Sequence, residues 1–142
     1  MKTLRALLVL ASLLFALHPT PSAAQGMQKT GMKFTEVASY RTGAARHIYA
    51  TYAERIYKGM LPPLVHAVVV IETEVDKLGN VKDIHVIRGP SHAPDVTEAV
   101  KTMITRASPF PAPGSASAKF TEVWLVDHSG RFQLHALTEG QH

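Results

Sequence analysis

Four consecutive β-branched residues, Val68-Val69-Val70-Ile71, open a stretch that restricts this chain more than any other. Such side chains lose rotamer freedom in a helix and pack well on a pleated strand. The run continues to Val75 and meets Asp76-Lys77-Leu78-Gly79-Asn80, a turn in which glycine supplies positive φ. Val81 to Arg88 then reads as a second strand, so the two runs form a β-hairpin. Val69, Val70 and Ile71 are apolar on both faces, which places the first strand centrally in a sheet or under cover on both sides. A one-residue slip would exchange the faces, so Glu72, Glu74, Lys82 and His85 receive no assigned partners.

The flanking segments extend the pattern. Ala45, Ile48, Tyr49, Tyr52 and Ile56 recur at helical spacing and predict a helix over residues 40–58, capped by Ser39 and stopped by Gly59. Pro62-Pro63 forbids continuation. After Gly89-Pro90-Ser91, Pro94 suits a first helical turn, and Val96, Ala99, Val100, Met103, Ile104 and Ala107 form a second apolar stripe. Pro109, Pro111 and Pro113 then impose extended coil. Phe120, Glu122, Trp124 and Val126 alternate with Thr121, Val123 and Leu125, and Asp127-His128-Ser129-Gly130 turns the chain back into Arg131–Leu137. The order is helix, hairpin, helix, hairpin: an α+β fold with an antiparallel sheet. Trp124 is expected under a helix rather than on the surface.

The N-terminus carries a different signal. Lys2 and Arg5 precede an apolar run of 12 residues, Ala6 to Leu17, shorter than the ~20 that span a bilayer. Ser22-Ala23-Ala24 supplies small residues at the −3 and −1 positions of a cleavage site. Residues 1–24 therefore read as a secretory signal peptide, 25–39 as a flexible lead-in, 40–137 as the domain and 138–142 as a tail. Cleavage leaves 118 residues with formal charge +2 and no retained membrane anchor, expected in a bacterial periplasm. The absence of cysteine leaves no lipid attachment site. The remaining basic residues are scattered without a run of three, which argues against nucleic-acid binding. Lys33-Phe34-Thr35-Glu36-Val37 recurs identically at Lys119–Val123. The repeat is either a coincidence between two strand-like pieces or the mark of an extra edge strand.

Several pieces in this order are similar to the C-terminal domain family of TonB and TolA. Tyr52-Ala53-x-x-Ile56 resembles the TolA-type opening helix. The segment Val68 to Val81, with Thr73, Val75-Asp76 and Gly79, resembles the family's first hairpin, continued by Ile84-x-Val86-x-Arg88. Asp95 to Pro113, ending Ala107-Ser108-Pro109-Phe110-Pro111-Ala112-Pro113, resembles its helix and following proline signature. The resemblance covers roughly half the chain, from Tyr52 to Trp124. It implies two helices packed on one antiparallel sheet, and a non-enzymatic role in which a partner's extended segment adds to a sheet edge. The implied edge is the strand after the second helix: Phe120, Thr121, Glu122, Val123, Trp124, Leu125 and Val126. Family transducers keep a membrane helix and a long spacer; this chain reads instead as a stand-alone domain. Implied partners are segments of periplasmic or outer-membrane proteins; separately, the same edge or the repeated Lys-Phe-Thr-Glu-Val segment could pair with a second copy of the chain.

Other chemistry has weaker support. The histidines after the signal segment are His47, His66, His85, His92, His128, His135 and His142, without HxH or HExxH spacing. His66 and His92 flank the first hairpin and could approach each other, which keeps a small metal-binding protein or enzyme as the alternative reading. Ser91-His92-x-x-Asp95 and Asp127-His128-Ser129 contain triad residue types, yet sequence neighbours do not generally assemble triad geometry. No P-loop or dinucleotide fingerprint is present. No catalytic residue, metal or cofactor is assigned from the sequence.

Overall fold

The computed structural model describes residues 33–114 and 116–141. The signal-peptide assignment for residues 1–24, and the lead-in as far as residue 32, lie outside the described residues. The elements are α1 (Phe34–Thr51), β1 (Ala67–Val75), β2 (Val81–Arg88), α2 (Pro94–Arg106), β3 (Ala118–Val126) and β4 (Phe132–Leu134). The four strands form one antiparallel sheet in the order β2-β1-β3-β4. The expected α+β class with two helices and an antiparallel sheet is therefore present.

β1 is central, as its apolar run requires. It pairs with β3 over nine residue pairs, from Ala67↔Val126 to Val75↔Ala118, and with β2 on its other side. Alternation then sorts the side chains. Val69, Ile71 and Val75 of β1 and Phe120, Trp124 and Val126 of β3 are buried under the helices. Val68, Val70, Glu72 and Glu74 take the opposite face, where Val68 is exposed. From α1 come Ala44, Ala45 and Ile48, and from α2 Val100, Met103 and Ile104, closing the core on one side of the sheet. Trp124 is fully buried beside Phe132, with ring centroids 4.7 Å apart.

Three boundaries differ from expectation, each for a tertiary reason. First, α1 starts at Phe34, so residues 34–39 are not a flexible lead-in and Ser39 is not a cap. The Glu36 carboxylate accepts the Lys33 backbone N–H at 2.9 Å, satisfying a donor at the helix start. The first copy of the repeat is thus helical, and the extra edge strand is overturned. Secondly, α1 ends at Thr51. Ile56 leaves the helical stripe to bridge Phe132 in parallel, and the Tyr57 N–H donates to the Phe132 carbonyl at 2.9 Å. Thirdly, the returning strand is only Phe132–Leu134, because His135–Leu137 coils into a 3-10 turn.

Candidate partner-binding edge

Strand β3 is nine residues long and β4 three, so the two do not match. β4 pairs Trp124, Leu125 and Val126 with Leu134, Gln133 and Phe132. Within the expected edge Phe120–Val126, the returning strand occupies one end: Trp124, Leu125 and Val126 are paired on both sides. Ala118–Val123 pair with β1 alone, and among the described residues no strand lies on their other side.

The boundary between covered and open edge is built by one carboxylate. Glu122 follows the inward phase of Phe120 and Trp124 and is 2% exposed. Its Oε1 accepts the Val123 N–H at 2.9 Å and the Ala136 N–H at 3.3 Å. Arg41 of α1 grips the same group with two bonds, Nη2 to Oε1 at 2.8 Å and Nε to Oε2 at 3.2 Å. The pairing is charge-assisted, bidentate and partly buried, so it orients both chains firmly. Arg41 Nη2 also lies 3.2 Å from His135 Nδ1. Since guanidinium only donates, that nitrogen accepts. The Leu134 N–H is taken by the Tyr49 hydroxyl at 3.1 Å. That bond lies on the far side of β4; the β3–β4 ladder stops because the Glu122 carboxylate takes the next N–H of β3 on the β4 side, that of Val123.

Strand alternation identifies what remains free. The Val123 N–H is directed at the Glu122 carboxylate, away from β1. Alternate residues of an antiparallel strand direct both backbone groups to the same side, so Lys119 and Thr121 present theirs to the open side. Of the seven residues expected at the edge, Phe120, Glu122, Trp124 and Val126 turn their side chains into the core, while Thr121, Val123 and Leu125 are half-buried on the opposite face. Lys119 is exposed there and reaches Glu74 at 3.1 Å and Glu72 at 3.6 Å. The bond to Glu74 and the two negative charges hold its ammonium above the usual lysine range.

On the helix side, Tyr40 stands edge-on to Phe120 with centroids 5.7 Å apart. Its hydroxyl donates to the Pro111 carbonyl at 2.8 Å, tying α1 to the proline strap. Burial pushes this hydroxyl up to about 12 from the ordinary 10.0. Tyr40 also lines a cleft of about 590 Å³ with Thr35, Ser39, Gly43, Pro111 and Pro113. The outer strand β2 is the second unpaired edge. It carries Lys82, Asp83, His85 and Arg88, and its ladder is irregular at both ends, features that protect an edge from pairing.

The sequence located β3 but missed Arg41 and Ala136, which meet Glu122 where its ladder ends. It also missed that His128 meets His66, which in turn neighbours His92, at one end of the sheet. His47 is separate: its Nε2 lies 2.7 Å from the Ala107 carbonyl and its ring packs on Phe110. No described helix is long and apolar enough to cross a membrane. Comparisons with protein-family models, curated proteins and solved structures find no match for this chain.

Proposed function

We propose that this chain is a non-enzymatic periplasmic protein-binding domain that takes up an extended partner segment along Ala118–Val123, in line with β4. The observation that carries the reading is the length mismatch between β3 and β4, which leaves a row of backbone groups beside a formed sheet. The resemblance to the TonB and TolA C-terminal domains supports the same mode and stays a proposal alongside it.

Magnitudes refine the partner. Lys119 and Thr121 offer two N–H and two C=O groups, and each bond adds about 1 kcal/mol net. Four such bonds give about 4 kcal/mol, which corresponds to roughly millimolar affinity. Useful affinity therefore needs side chains as well. Alternate residues of an added strand would meet Thr121 and Val123 on one face and the Tyr40 side on the other.

The test is a photo-crosslinking amino acid at Lys119, with Lys77 in the distant turn as control, in the producing cell. A discrete envelope-protein adduct at position 119, absent at 77 and lost in a folded Thr121→Pro chain, is expected. Proline removes the open-side N–H and is tolerated at an edge. Identical adducts at both positions, or none at either, would overturn the proposal. With the captured segment as a peptide, slowed amide exchange should fall on Lys119 and Thr121; protection confined to β2 would move the site to that edge.

A further inference from the structure

His66, His92 and His128 come from three different connections: the approach to β1, the β2–α2 loop and the β3–β4 turn. The rings of His66 and His128 are 4.3 Å apart between centroids, and those of His66 and His92 are 5.5 Å apart. His92 Nε2 lies 2.8 Å from the His66 carbonyl oxygen. A carbonyl only accepts, so His92 is protonated at Nε2, and its neutral ring has a free lone pair at Nδ1. Asp95, Asp127 and the Arg55 guanidinium line, with His66 and His128, a cavity of about 300 Å³, while His92 lines the neighbouring cleft on the other side of His66. The Asp127 carboxylate is already used by its own turn, accepting from Ser129 and Arg131.

We propose that these three imidazoles form a binding site for a divalent transition-metal ion such as zinc, copper or nickel. A metal–nitrogen bond of about 2.0–2.1 Å puts each ring centroid roughly 3.2 Å from the ion, so two imidazoles at 90–120° stand about 4.5–5.5 Å apart. The observed separations, 4.3 and 5.5 Å, establish that His128 and His92 each neighbour His66 on this scale, before any reorientation of the rings. In the conformation described, no group of three or more His, Asp or Glu side chains among the described residues is placed to hold a metal ion. His92 and His128 are exposed, and convergence requires rotation of their side chains, a fast motion for surface residues. Imidazole donors select zinc, copper and nickel over magnesium and calcium. Asp95 or water would complete the coordination. The site is independent of the β3 edge.

The experiment is calorimetric titration of zinc chloride into the untagged chain, with magnesium chloride as control. One saturable zinc site is expected, weakened tenfold or more by each of His66→Ala, His92→Ala and His128→Ala, and unchanged by His85→Ala and His135→Ala. Zinc should raise the thermal midpoint of the unsubstituted chain and leave that of His128→Ala unmoved. His128 sits on an exposed turn with its ring outside any hydrogen bond described, so this variant keeps its fold, which circular dichroism verifies. Proton competition should weaken binding as pH falls. Absence of saturable zinc binding, or full binding retained in folded His92→Ala and His128→Ala chains, would overturn the site.

Discussion

Glu122 shows how one side chain can end a sheet. Its carboxylate stands where the next backbone partner of β3 would be and closes the position with bonds to Val123 and Ala136. Glu122→Ala removes those acceptors and strands the Arg41 guanidinium. A buried donor left unbonded costs about 1–3 kcal/mol. Arg41 remains 30% exposed, so water relieves part of its loss. The net expectation is destabilisation of about 3 kcal/mol in urea unfolding, with Glu122→Gln recovering roughly half through its remaining carbonyl. Full stability in the alanine chain would show the network to be ornamental. Half of this feature was legible in the sequence. Alternation put Glu122 in phase with Phe120 and Trp124, so a charge was already assigned to a buried row. Its partner lies 81 positions away, and no local rule joins the two.

At the scale of elements, the two copies of Lys-Phe-Thr-Glu-Val separate local preference from tertiary context. In the first, Glu36 caps the Lys33 N–H and the Val37 N–H closes a helical turn on the Lys33 carbonyl at 3.0 Å. In the second, the same residues pair with β1 from Lys119↔Glu74 to Val123↔Val70, and Phe120 lies between Tyr40 and Phe110. A difference of about 1 kcal/mol in strand propensity cannot decide such a case; pairing and burial do. The first hairpin was legible because its turn chemistry is local. Asp76 Oδ1 accepts from the N–H groups of Leu78 and Asn80, and Gly79 takes φ +89°. A Cβ at Gly79 would overlap the Phe110 carbonyl, and the Phe110 N–H donates to Gly79 O at 2.8 Å. Gly79→Ala should therefore cost more than the 1–3 kcal/mol of an unfavourable φ alone. Gly130→Ala, at φ +79° and facing only the flexible Arg55 side chain, should stay near about 1 kcal/mol. Equal losses in chemical denaturation would remove the overlap with Phe110 as a cause.

For the molecule as a whole, α1 and the residue that follows it, Tyr52, are fastened by three tyrosine hydroxyls. Tyr40 donates to Pro111, Tyr52 donates to Met103, and Tyr49 accepts from Leu134. Burial is the main cause raising all three hydroxyls, Tyr40 to about 12. A group whose folded value is raised holds its proton longer folded than unfolded. Its contribution is therefore complete below the ordinary value near 10 and is lost as pH rises through the folded value. Stability should fall steadily above about pH 10, and Tyr40→Phe should flatten part of that fall. Phenolate absorbance should show late titration of Tyr40, Tyr49 and Tyr52, each identified by its Phe variant; ordinary titration of these three would contradict this fastening. At the acid end the sign reverses. Bonds from Asn80, with further bonds from the backbone, hold Asp76 below the usual carboxylate range. Its contribution is present above the ordinary value near 4 and is lost as pH falls through the lowered one. Asp76→Asn should reduce the acid slope of stability measured against urea.

The unequal ladders also set how the sheet responds to force. Tension along the strand axis loads the nine β1–β3 pairs together, in shear, and they share it. Tension on the chain beyond Leu134 instead meets the Leu61–Gly140 and Ala136–Glu122 bonds and then the three β3–β4 pairs one after another, from Trp124↔Leu134 onward. The short strand peels first. Each pair that parts would lengthen the open edge, until all nine residues of β3 faced outward on that side. A pull on the last segment would thus convert a six-residue docking edge into a nine-residue one while leaving the rest of the sheet in register.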